Sequence, residues 1–275
     1  MCAVQPLPLP FAQFVPHHER YDSPTICHLT PGNEITDDLL KSCASLFNTN
    51  YGIWGSTAGT LSQFTKPGEP VRLTSSRLRA QCVSSPEKTL LVTCFRTTPT
   101  LGNQLIGHAF ASDPADHNSV GWVTQLVVDK SVRKRYIATQ LLQTLKFHSL
   151  FASVKAVGLV SSHPAACNAL AKYASANFYE IDLTFIRDHA EGILASSSIS
   201  YLKAAQLKGS VFQADCDNGA LSSVFTSFYV DHAGPLEALE QYKAKGQWGL
   251  GDLLDGHEFL VIFPVVPMSP IANTL

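Results

Sequence analysis

The segment that most constrains the fold is Leu126-Val127-Val128-Asp129-Lys130-Ser131-Val132-Arg133-Lys134-Arg135-Tyr136-Ile137-Ala138-Thr139-Gln140-Leu141-Leu142. An apolar run passes into a turn with four cations in six residues, and the turn opens a stretch whose apolar residues recur at helical spacing. Ile137, Leu141, Leu142, Leu145 and Leu150 share one face, so a helix is expected over residues 135–150. A second apolar strand, residues 156–160, comes next. Strand, helix and strand make a βαβ unit, which crosses over right-handed and sets its two strands parallel. The first amides of a helix lack intrahelical acceptors and carry partial positive charge, so basic side chains there suit a pyrophosphate. A merely solvated charge run is the plainer alternative.

Ahead of this unit the pattern is antiparallel. Residues 1–24 hold five prolines and read as an extended lead-in. A strand over 25–29 is followed by a helix over 34–48, from Ile35, Leu39, Leu40, Cys43, Ala44 and Phe47. Residues 51–70 form a long Gly/Ser/Thr-rich loop, a common length for a lid. A second helix over 73–82 leaves Arg72, Arg77 and Arg79 for solvent or an anion. Strands over 89–95, 104–111 and 120–129 are joined by short turns, which favours a meander. Beyond the βαβ unit, Pro164 opens a helix running to about 176, and residues 178–186 read as a strand. The tail from 187 continues with helices near 188–195 and 200–208 and a strand over 222–230. A helix between Gly234-Pro235 and Gly246 and a last strand over 258–263 complete it.

Composition bounds the function. The chain has 275 residues, 45% hydrophobic and 15% charged, with a net charge of −2. That composition supports a sizeable core and argues against a global grip on nucleic acid or on an anionic membrane. Seven scattered cysteines without a CxxC argue against a disulfide framework or a structural zinc site. No secretory signal or membrane-spanning run is visible, so a cytoplasmic (or nuclear) location is expected.

Leu126, Val128, Arg133 and Ala138 match the acetyl-CoA motif L-x-V-x-x-x-x-R/Q-x-x-G-x-G/A, and the sequence here resembles the GNAT N-acetyltransferase superfamily. Tyr136 stands where the family's first glycine falls. The block Ser161–Phe178 is similar to the family's strand, helix and Y-x-x-x-G-F turn through Tyr173 and Phe178, with Asn177 replacing the glycine. The tail resembles extensions on some fungal members. The resemblance implies an α/β fold, a GNAT-like mixed, mostly antiparallel sheet with a central βαβ unit and flanking helices. It implies a core domain over 25–186, with 187–275 packed on that core or on a dimer partner.

The activity it implies is direct transfer of an acetyl or other acyl group from acetyl-CoA to an amine, small molecule or peptide, with no metal. Leu126, Val127, Val128, Arg133, Lys134, Arg135, Tyr136, Ile137, Ala138, Thr139 and Asn168 are the implied coenzyme-binding residues. An alkylammonium must lose a proton before it attacks, and a thiolate leaving group must gain one. Tyr173 matches the family's proton donor. His163, at the end of the parallel strand, is the candidate base, although it also suits a helix N-cap. No carboxylate lies mid-strand in 120–129, where some members carry a Glu and this chain has Trp122. Asp231-His232 and His257-Glu258 in the tail pair acids with imidazoles. A His163/Cys167 metal or thiol pair and an arginine nucleic-acid patch are weaker alternatives, as is a catalytically silent protein on the same fold.

Overall fold

The computed structural model describes residues 24–60, 62, 64–98, 102–112, 120–197 and 200–266. The lead-in up to residue 23 and the connection 113–119 lie outside the described residues.

Eight strands form one sheet. In chain order they are β1 (Thr25–Pro31), β2 (Thr89–Thr98), β3 (Gly102–Ser112), β4 (Val120–Val128), β5 (Ala156–Ser161), β6 (Gln206–Lys208), β7 (Ser223–Phe225) and β8 (His257–Pro264). Across the sheet the order is β1-β2-β3-β4-β5-β8-β7-β6. Only β4 and β5 run parallel, as the βαβ pattern requires; the other pairings are antiparallel. The helices are α1 (Asp37–Asn50), α2 (Ser75–Cys82), α3 (Ile137–Leu145), α4 (Ser149–Ala152), α5 (Pro164–Tyr173), α6 (Leu183–Ser196), α7 (Ser200–Ala204) and α8 (Ala233–Ala244). None is long and apolar enough to cross a membrane.

Strand alternation sends successive side chains to two cores. Leu90, Val92 and Cys94 of β2 join α3, α5 and α6 on one face, while Leu91 joins α1 and α2 on the other. The α3 face of Ile137, Leu141, Leu142 and Leu145 is buried on the sheet. It packs close because β3 has Gly107 beneath it, where a Cβ would come within 3.1 Å of the Ile137 and Leu141 side chains. Trp122 lies on Gly158 of β5 in the same way, with the ring 2.3 Å from where a Cβ would stand. Thus Trp122, in the middle of β4, is a core side chain.

Three expectations are corrected. The helix over 135–150 is two helices, because the His148 side chain accepts from the Leu150 amide at 3.2 Å and starts α4 anew. Residues 178–186 are not a strand. Phe178 stacks on Trp248 with centroids 4.7 Å apart, and Asp182 caps α6 by accepting from the Phe185 amide. Ile186, Ala190, Ile193 and Leu194 then bury at helical spacing. The place beside β5 is taken instead by β8, from the tail. The strand over 222–230 shrinks to β7, since residues 226–231 leave the sheet to bridge toward the 51–55 segment.

Gly158→Ala is expected to destabilise the fold by about 1–3 kcal/mol, because a well-packed indole leaves no room for the added methyl. Combined with Trp122→Phe, the loss should fall short of the sum of the single losses, read from urea midpoints.

Candidate functional site

The site begins where the parallel pair ends. β4 and β5 are in register from Val120↔Ala156 to Val123↔Leu159 and no further. Against β3, Phe110 faces Gln125 and Ala111 faces Val123, so Thr124 is an extra residue, a bulge that bends β4. Beyond it β5 keeps to β8, where Val160 faces Leu260 and Ser161 faces Phe259. The two parallel strands therefore splay apart.

Asp129 donates its amide to Ile106 of β3 at 2.9 Å. By alternation, Leu126 and Val128 turn their backbone groups to the open side. A cavity of about 350 Å³ occupies the gap. Its floor is β4 and β5 from Val123 to Leu126 and from Leu159 to Ser161, and Thr124 Oγ1 is buried without a hydrogen-bond partner among the described residues.

At the end of β4 lies the basic turn. Asp129 caps it, accepting from the Ser131 amide and hydroxyl at 2.8 and 2.7 Å. Arg133 turns inward: its Nε donates to the Val128 carbonyl at 3.2 Å and its terminal nitrogen to the Asn50 carbonyl. Asn50 Oδ1 accepts from the Lys130 amide at 2.8 Å, and its Nδ2 donates to the Leu46 carbonyl at 3.0 Å. The turn is thus moored to the end of α1, and burial lowers the Arg133 pKa from its ordinary value while Asp129 opposes the shift.

Lys134 and Tyr136 have φ of 64° and 61°, left-handed backbone that costs a residue with a Cβ about 1–2 kcal/mol. Tyr136 precedes α3 without offering a side-chain cap. Its ring points outward, with Lys172 Nζ 4.6 Å from its centroid, and so does not fill the corner before the helix. Ile137 is buried, whereas Lys134, Arg135 and Tyr136 are exposed and Ala138 and Thr139 half-buried.

The other candidates fall in different places. His163 is the N-cap of α5, accepting at Nδ1 from the Ala165 amide at 3.2 Å. Burial, then the nearby charges of Arg133 and Lys134, pull its pKa down to about 4. Asn168 faces α8 and donates to Tyr242 Oη at 3.2 Å, while Ala166 lines the cavity. Tyr173 ends α5, roughly 13 Å along the helix axis from Pro164. It is buried under Lys146, whose Nζ is 4.7 Å from the ring centroid. Its hydroxyl has no partner among the described residues, and burial raises its pKa. Neither Tyr173 nor Asn168 lines the cavity. Cys167 is fully buried and burial raises its thiol pKa, so it behaves as a small apolar residue.

The tail supplies what sequence reasoning left unassigned. Glu258 of β8 lines the cavity although its carboxyl is buried, and Thr226 donates to its Oε2 at 3.0 Å. Burial raises the Glu258 pKa to about 7 and the Thr226 hydrogen bond opposes the shift. Tyr51, Tyr201 and Phe228 line the same space. The phenol pKa values of Tyr51 and Tyr201 are raised by burial and then by the Glu258 charge. The loop after α1 is held to the tail: Gly55 donates to the Tyr229 carbonyl, Asp231 donates to that of Ile53, and Thr57 Oγ1 donates to Asp255. The signal in the sequence was the His257-Glu258 pair, an acid beside an imidazole at the start of an apolar strand.

Residues 60–179 match the model of the acetyltransferase (GNAT) family. Similar solved structures include a GNAT-family acetyltransferase from Streptococcus pneumoniae, 13% identical, covering 55% of this chain and 83% of that one at a TM-score of 0.36. The NatC complex bound to Gag peptide and CoA is 16% identical, covering 54% and 82% at 0.38. Diaminobutyrate acetyltransferase from Paenibacillus lautus, in complex with its substrate and coenzyme A, is 14% identical, covering 56% and 76% at 0.35. No curated protein matches the chain.

Coenzyme A fits the residues present. The open β4 edge and the partnerless Thr124 hydroxyl leave room for a pantetheine arm, and the first amides of α3 have no side-chain cap. Tyr136→Gly, which removes the left-handed penalty, is expected to stabilise the free protein by up to about 1 kcal/mol in equilibrium denaturation. Tyr136→Val should cost about 1–2 kcal/mol, since a branched Cβ tolerates this backbone least.

Proposed function

We propose that the chain is an acyl-CoA-dependent N-acetyltransferase that passes an acetyl group directly from acetyl-CoA to an amine in a ternary complex. The observation that carries this reading is the splay of β4 from β5 over a cavity that contains one buried carboxylate. Acetyl-CoA supplies the activated acyl thioester. In this reading the backbone of Leu126, Val127 and Val128 runs beside the pantetheine arm, and the amides from Arg135 through Ile137 and Ala138 to Thr139 hold the diphosphate. Lys134 and Arg135 add charge there, and Arg133 braces the turn.

Glu258 is the base. A general base works best with a pKa near the working pH, and a value of about 7 suits this better than the value of about 4 for His163. The carboxylate takes the proton of the acceptor ammonium, and the freed amine nitrogen attacks the acyl carbon. The C–N bond forms, the C–S bond breaks, the departing thiolate receives a proton from a phenol of the cavity, and the second proton of the acylated nitrogen returns to that phenolate. Tyr51 and Tyr201 stay protonated at neutral pH and line that cavity, which Tyr173 does not. His163 serves as the cap of α5.

Coenzyme A at a hundred times its Kd should stabilise the protein by about 2.7 kcal/mol, read by thermal denaturation. Absence of any shift with coenzyme A and acetyl-CoA sinks the reading. Glu258→Gln should lower kcat about 10²–10⁴-fold with coenzyme affinity unchanged. The wild-type rate should rise with pH through about 7, the range in which Glu258 loses its proton. Because the folded-state pKa lies above that of the unfolded chain, ionisation of Glu258 destabilises the fold as pH rises. The Gln variant should therefore be more stable than wild type at pH 8, and the gap should narrow toward pH 5.

A further inference from the structure

The walls of the cavity carry charges of both signs on opposite flanks. Glu258 stands on the β8 side of the splayed strands. On the other flank, α2 and the residue run before it bring Arg72 and Arg77 to the same cavity, with Gln81 one turn further on. Among the described residues neither arginine has an acidic partner, whereas their neighbour Arg79 is held by Asp37 at 2.9 Å and by the Ile35 carbonyl. The basic turn is not the explanation for these two arginines, since none of Lys130, Arg133, Lys134 and Arg135 lines the cavity.

Between the charged flanks the surface is aromatic. Tyr51 stacks on Phe47 at 4.3 Å between centroids, and Trp54 meets Phe228 edge-on at 5.4 Å. Guanidinium groups are always charged and match a carboxylate or phosphate with paired donors, and an apolar surround strengthens that attraction.

We infer that the acceptor is a small dipolar amine: an ammonium at Glu258, an apolar body against the aromatic wall, and a carboxylate or phosphate at Arg72 and Arg77. The inference rests on the transferase reading only for which end reacts. The anion pocket stands on the two unpaired arginines. A neutral or polycationic amine lacks a partner for them and meets two positive charges near the mouth.

The test is calorimetric binding to the full chain in the presence of coenzyme A, with matched ligands. These are 6-aminohexanoate against hexylamine, L-phenylalanine against L-phenylalaninamide, and O-phosphoethanolamine as the phosphate arm. The zwitterionic member of at least one pair should bind at least about tenfold tighter than its cationic counterpart, or O-phosphoethanolamine at least about tenfold tighter than hexylamine. Arg72→Gln and Arg77→Gln, at exposed positions without internal partners, should each reduce that preference and together abolish it while coenzyme affinity holds. Equal binding of the zwitterionic and cationic members, binding by none of the carboxylate or phosphate compounds, or a preference untouched by both replacements overturns the inference. Anion-dependent binding of a compound that yields no acetylated product when acetyl-CoA replaces coenzyme A upholds it and fails the transferase reading instead.

Discussion

Everything at the site follows from four residue pairs of parallel ladder, Val120 to Val123 against Ala156 to Leu159, and from the bulge at Thr124 that stops it. A sheet normally satisfies its backbone groups strand by strand. Here β4 is bent off its partner while β5 stays with β8, and the backbone of Leu126 and Val128 is left facing a gap. The extra residue makes an interior strand edge inside a continuous sheet. The same bend delivers the chain to the basic turn, so the cavity and the placing of that turn are consequences of one local irregularity.

The tail closes what the bulge opens. β8 holds β5 in place on its far side, and its second residue carries Glu258 to the gap. Residues 226–231 then strap the segment after α1, so the aromatic wall is shared between the two halves of the chain. Trp122 fills the core over Gly158, and the carboxylate at the cavity comes from β8 instead.

Much of this was legible in the residues. The run 126–142 announces strand, turn and helix through its change of period, and the turn residues of the meander separate β2, β3 and β4 correctly. What misled was local pattern overruled by capping and tertiary contacts. Phe178–Ile186 looks β-like, yet Asp182 caps a helix and Phe178 finds Trp248, some seventy residues on. Tyr173 matches a motif by spacing, but a single helix turns it toward Lys146, a position no spacing rule reports. Glu258 was hidden for a related reason: which strand lies beside β5 is a question of long-range pairing, and only that pairing gives an acid in an apolar strand its meaning.

Asn50 joins two regions that a substrate and a coenzyme would occupy separately. Its side-chain oxygen and its carbonyl both hold the basic turn, while its own helix forms part of the aromatic wall through Phe47. Such a shared fastening means that the C-terminal end of α1 cannot shift without carrying the basic turn with it.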